Sequence, residues 1–319
     1  MTGGCLLLAL ALCSLFIGKY PLSPGLLLSG DDMQWRVFLT LRLPRVLVGL
    51  IGGFALGVCG FVFQTVFSNP LASPDIVGVS SGASTGAAAG ILFFSGVSAG
   101  AAAVTASAFV GALFAAVTAI VLSTLDKSAK NSTIVLAGIA VHALSQTALM
   151  ALKLTADPER ELASIEYWMM GSLNGITLSE CGGNLVLTVL CTAVLFFLHR
   201  QIILLSAEEG EARMLGVSVG KMRLTVLITA TLTVAAVISG TGLISFIGLL
   251  APHIARLLSG ENRISTMLLG GITGGILLLG ADILARTAWA AELPVSIFTS
   301  LLGAPFLIRL VLGKRNERV

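Results

Sequence analysis

Residues 76–125 read IVGVSSGASTGAAAGILFFSGVSAGAAAVTASAFVGALFAAVTAIVLSTL, and none of these fifty residues is charged. A helix needs about 20 largely apolar residues to cross a bilayer. The run therefore predicts two spans, 76–94 and 101–125, with a turn near Ser95–Gly100. Gly82, Gly86 and Gly90 recur at every fourth position. Small residues at that interval let two helix backbones approach closely in lipid.

The flanks repeat the pattern. The chain has 319 residues, 56% hydrophobic and 11% charged, with mean hydropathy +0.98. A soluble domain carries about 25% charged residues, so this chain reads as a single all-α integral membrane domain over residues 1–319. The net charge of +3 is small and points to no nucleic-acid partner. Further spans are predicted at 1–18, 46–67, 131–152, 181–198, 224–245, 247–258, 264–286 and 293–312, about ten in all. Residues 1–18 lack the basic start and small-residue exit of a leader, so they read as the first span. Leu224–Ala255 is too long for one span and short for two, and Gly240, Gly242, Gly248 and Pro252 mark where it breaks.

Two polar passages interrupt the spans. His199–Arg223 carries Glu208, Glu209, Gly210, Glu211, Ala212 and Arg213 before a Leu215-Gly216 stop, which predicts a short amphipathic helix with a glycine cap. It is either a handle for a soluble partner or a solvated connector. The acidic passage 155–180 contains Tyr167-Trp168-Met169-Met170, suited to a helix lying at a membrane interface. With ten spans, the loops at 126–130, 199–223, 256–263 and 309–319 share one side and hold twelve of the nineteen Lys and Arg residues. That side, with both termini, is expected to be cytoplasmic. Arg42, Arg45 and Arg286 fall on the other side at span ends, as snorkelling side chains or as a basic docking surface for an acidic partner.

The remaining motifs exclude more than they assign. Gly49, Gly53 and Gly57, and the pairs Gly270/Gly274 and Gly271/Gly275, extend the close-packing pattern. Gly78-Val79-Ser80-Ser81-Gly82 matches a hydrolase elbow but enters an apolar helix without a partner acid or base. His142, His199 and His253 are scattered, and His253 is read as capping or bonding a broken helix. The five cysteines form no C-x-x-C pair and read as small buried hydrophobes. No metal or cofactor site is expected. Asp282 and Arg286, at i and i+4, can satisfy one another. None of the three Gly-Lys pairs is followed by the hydroxyl that a phosphate-cradling loop needs, so an ATP-driven process would need its motor on another polypeptide.

Several segments together resemble the FecCD-type permeases of type II ABC importers, the iron-siderophore, haem and vitamin B12 group. They are Arg42-Leu43-Pro44-Arg45; Gln64 with Asn69-Pro70-Leu71-Ala72-Ser73-Pro74 and Gly78; Leu136-Ala137-Gly138; and Trp168-Met169-Met170-Gly171-Ser172-Leu173. Glu211-Ala212-Arg213-Met214-Leu215-Gly216, Gly242–Arg256, Ala281-Asp282, and Glu292-Leu293-Pro294 through Gly303-Ala304-Pro305-Phe306 follow in order. Ser296 stands where the family usually has glycine.

The resemblance implies a vitamin-B12-permease-like bundle of about ten helices that pairs with a second copy or a close paralogue. It also implies two ATP-binding cassette subunits on the cytoplasmic side, an extracytoplasmic substrate-binding protein, and no enzymatic activity in this chain. On the same ground, the 208–216 segment would form coupling helices, Arg42, Arg45 and Arg286 would meet acidic residues of the binding protein, and Asn131, Ser132 and Thr133 would lie at an inner gate. An inverted repeat of spans 2–5 and 7–10 is implied too. The expected cargo is a ferric siderophore, with vitamin B12, haem and molybdate as alternatives. An ion-coupled secondary transporter and a membrane-embedded enzyme are the competing classes. Few charges lie deep in the spans to serve either.

Overall fold

The structure is a computed structural model that describes residues 2–94, 100–125, 131–206, 214, 218–260 and 262–316. Its regular elements among these residues are helical. α1 is Thr2–Phe16, α2 Pro24–Leu28, α3 Asp32–Val37 and α4 Leu43–Val66; a 3-10 turn at Pro74–Val77 precedes α5, Val79–Phe94. α6 is Gly100–Leu125, α7 Asn131–Thr155, α8 Glu161–Met169, α9 Leu178–Phe197 and α10 His199–Leu204. α11 is Val219–Thr241, α12 Ile247–Ser259, α13 Ile264–Thr287 and α14 Val295–Asn316. Six helical stretches are long and apolar enough to cross a membrane, and four shorter apolar helices accompany them. The predicted turns at 95–99 and 126–130 lie outside the described residues.

The sequence places α4 at the centre. In the most apolar 18-residue window of Asp32–Val66, 78% of residues are buried, against 17% in that of Thr133–Thr155 and 28% in those of Gly100–Ser123 and Leu178–Phe197. Glycine makes that centrality possible. A methyl group added at Gly53 would sit 2.7 Å from the Gly274 carbonyl oxygen, and one at Gly57 would strike that of Gly270. The register 53–274 and 57–270 makes α4 and α13 an antiparallel pair in backbone contact. Gly82 and Gly86 meet Gly111 and Ser107 in the same way, so α5 and α6 form a second such pair.

Two prolines shape α4 and α12. Pro44 has no N–H to give to Thr40, and the chain widens into a π-turn over Phe38–Arg42 directly before it. Pro252 likewise leaves the Gly248 carbonyl without its helical donor. That carbonyl faces the bare Cα of Gly60 on α4, where any side chain would clash.

The run of helices breaks twice. After α4 the chain runs irregularly through 67–78 before α5 starts, and after α11 it runs irregularly through 242–246 before α12 starts. The second break holds Gly242 at φ 71° and Phe246 at φ 66°. Phe246 is a non-glycine residue in the left-handed region, and its ring packs over the bare Cα of Gly303 on α14. Ser296, where the family favours glycine, donates 2.7 Å to the Leu243 carbonyl and ties α14 to this break. The 3-10 turn at Pro74–Val77 meets the start of α12 where Pro74 faces Gly248, and a cavity of about 270 Å³ lined by Ser73, Asp75, Ile244 and Ser245 lies beside that contact.

One reading from composition needs correction. Cys59, Cys181 and Cys191 are buried, but Cys5 and Cys13 are exposed on α1. α1 packs on α4 and α13 through one face that carries Leu7, Ala11 and Leu15, so its opposite face points outward.

Candidate functional site: a buried arginine cluster at one end of the bundle

The three arginines set apart by the sequence converge. Arg42 closes the π-turn, Arg45 lies in the first turn of α4, and Arg286 lies in the last turn of α13. They come together because α4 and α13 are antiparallel, so the start of one faces the end of the other. None is a surface side chain: Arg42 and Arg45 are 7% exposed and Arg286 1%. A snorkelling role is overturned, because their heads turn inward to protein acceptors.

Arg45 Nε donates to Asp282 Oδ1 at 2.9 Å and its Nη1 to Glu292 Oε2 at 2.9 Å. Arg286 Nη2 pairs with Asp282 Oδ2 at 3.1 Å, the expected i, i+4 contact. Arg286 Nη1 also donates to the Ser14 and Ile17 carbonyls, both at 3.0 Å, and its Nη2 to the Ser14 hydroxyl. Among the described residues Arg42 has no carboxylate partner. Its donors go to the Ile17 and Tyr20 carbonyls at 2.8 and 3.0 Å. Lys19 Nζ donates to the Ala290 carbonyl at 2.6 Å.

The arginines thus have two tasks. The last carbonyls of a helix have no partner within it, and Arg42 and Arg286 satisfy those at the end of α1. Asp282, fully buried, holds Arg45 and Arg286 on either side. Three guanidinium groups face two carboxylates, so the cluster keeps a surplus of positive charge. A cavity of about 170 Å³ reaches it, walled in part by Lys19, Tyr20, Arg42 and Glu292.

A second polar cluster joins α4 to α12 at the opposite end. Arg256 Nε donates to Asn262 Oδ1 at 2.9 Å, its Nη2 to Thr65 Oγ1 at 3.2 Å, and its Nη1 to Gln64 Oε1. Gln64 Nε2 donates to the Leu249 carbonyl at 3.0 Å, and the guanidinium lies 5.2 Å from the Phe61 ring centre. Two wider cavities, about 700 and 670 Å³, lie under α8 beside α9 and α11, and between α5, α6 and α7.

Of the other residues singled out from sequence, Glu208, Glu209, Gly210, Glu211, Ala212, Arg213, Leu215 and Gly216 lie outside the described residues. Asn131, Ser132 and Thr133 form the first turn of α7. His253 meets the Phe306 ring edge-on at 5.3 Å, joining α12 to α14. Sequence reasoning gave no role to Lys19, Glu292 or Arg256. The available signal was only that each is a charged residue close to the end of an apolar run.

The all-helical apolar bundle, with broken helices and an ion-pair cluster where the start of α4 meets the end of α13, defines a multi-pass membrane permease. The chain belongs to the FecCD transport family, whose pattern matches residues 6–313. It is 40% identical over 274 residues to the cobalamin import system permease protein BtuC of Halobacterium salinarum, covering 85% of this chain and 72% of the relative. It is 36% identical over 322 residues to the hemin transport system permease protein HmuU of Yersinia pestis, covering 98% and 95%. Among solved structures it is similar to an ABC transporter assigned to the metal-chelate type, in an inward-facing conformation. There the TM-score is 0.84 and identity 32%, over 98% of this chain and 97% of the other. Permeases of this family are the membrane subunits of ABC importers, and ATP hydrolysis lies in separate subunits.

Proposed function

We propose that this chain is the permease subunit of an ATP-driven importer that moves a metal chelate, a ferric siderophore first among them, across the cytoplasmic membrane. The observation that carries the reading is the match to the family over residues 6–313, with likeness to a hemin permease along nearly the full length of both chains. In this reading two copies, or one copy and a close paralogue, enclose a path between them. The 208–216 segment, Glu208 to Gly216, seats on an ATPase subunit at the cytoplasmic side, where both termini lie. Movement there rocks the bundle between inward- and outward-open states. Asn131, Ser132 and Thr133 sit at the inner mouth of the path. Arg42 and Arg45 face the binding protein at the outer end, and Arg286 supports them from behind.

Corrinoid is the second cargo, favoured by the 40% identity to a cobalamin permease. The deciding experiment is uptake into proteoliposomes holding this chain, its ATPase and its binding protein. Labelled ferric siderophore, cyanocobalamin, haemin and molybdate would be offered in turn. ATP-dependent accumulation of a chelate supports the reading. Accumulation driven by an ion gradient without the ATPase would refute it.

A further inference from the structure

We infer that Glu292 sets how tightly an acidic partner docks at the arginine cluster, acting as an internal carboxylate that opposes the partner's own. The inference rests on the docking reading above and concerns the regulation of that same site. Its basis is a difference between the cluster's two acids. Asp282 is fully buried on α13 and bonds two arginines, so it is a fixed part of the bundle. Glu292 lies in the irregular segment between α13 and α14, and its side chain is 21% exposed. It holds Arg45 through one contact and forms part of the cavity wall.

That cavity is where a carboxylate from outside would enter. Arg42 and Lys19 line it, and both give their donors to backbone carbonyls rather than to acids. A charged guanidinium binds a carboxylate more strongly than a neutral carbonyl, so an entering acid has a favourable partner in Arg42. It also meets Glu292, a like charge on the same wall. The entering acid must either displace Glu292 from Arg45 or bear its repulsion. Both routes have the same sign: removing the charge of Glu292 strengthens docking.

The test is the binding of the partner protein to the assembled transporter in lipid nanodiscs, at low and high salt. The variants are Glu292→Gln, Glu292→Asp, Arg42→Ala and the Glu292→Gln/Arg42→Ala pair. Glu292→Gln is expected to tighten binding about three- to tenfold, mainly through a faster on-rate with a steeper dependence on salt. Glu292→Asp keeps the charge and stays near wild type. Arg42→Ala weakens binding and removes most of the gain from Glu292→Gln. If Arg42→Ala weakens docking but Glu292→Gln leaves it unchanged or weaker, Glu292 is only a structural brace and the inference falls. If Arg42→Ala has no effect, the docking reading itself falls and takes this one with it.

Discussion

Arg45 and Asp282 stand 237 positions apart in the chain and 2.9 Å apart in the fold, both buried. Their pair joins the start of α4 to the end of α13, and Asp282 serves Arg286 on its other side. Removing one member of a buried ion pair leaves an uncompensated charge. Asp282→Ala should therefore cost about 3–5 kcal/mol, read as a lower unfolding temperature in detergent. Pairing it with Arg45→Met should recover only part of the loss, because Arg286 still lacks its carboxylate. Full recovery would mean that Arg286 does not depend on Asp282.

Arg286 should act on α1 more than on any partner. It supplies donors to Ser14 and Ile17 at the end of that helix and is 1% exposed. Arg286→Met should speed hydrogen exchange over residues 2–17 by about tenfold or more, with α4 little changed. Unchanged exchange in α1, with binding of an acidic partner lost, would return Arg286 to a direct docking role.

The central contact of the bundle depends on two bare backbones. Gly57→Leu drives a side chain into the Gly270 carbonyl, whereas an added methyl at Gly183 meets nothing within 4 Å. Gly57→Leu should cost about 1–3 kcal/mol or prevent folding altogether, while Gly183→Ala should leave stability within about 0.5 kcal/mol of wild type. Monodisperse yield and unfolding temperature would separate them.

Much of this was legible in the sequence. The charge-free run 76–125 announced α5 and α6, and glycines at every fourth position announced that helices touch. Pro252 and the glycines around it marked the break between α11 and α12. What the sequence hid is which glycine stripe meets which, because spacing along a helix does not name its partner. For that reason the arginines were expected at the surface. Their charge was visible, and so was the i, i+4 pair of Asp282 with Arg286, but Asp282 and Glu292 were not seen as acceptors for the distant Arg45. The left-handed turn at Phe246 was hidden too, since a non-glycine residue gives no warning of it. The 208–216 segment stood out by its own polarity, and the resemblance carried its role. That role remains the part of the account on which a direct experiment bears most.

Arg256 links α12 to Gln64 and Thr65 on α4. Lysine cannot reproduce a guanidinium's planar set of donors, so Arg256→Lys should lose about 1–3 kcal/mol. Exchange should quicken in α12 before α4. Equal protection of α12 in both proteins would show that packing alone holds it.

The most direct test is co-purification of this chain with its ATPase, followed by ATPase activity in liposomes with the binding protein added. Wild type would be compared with Glu211→Arg and Leu215→Asp, each checked for monodisperse folding. The account predicts a bound ATPase in the wild type whose activity the binding protein stimulates, and loss of that stimulation in both variants. An ATPase that binds and responds equally in all three proteins, or transport by this chain without any ATPase, would contradict it.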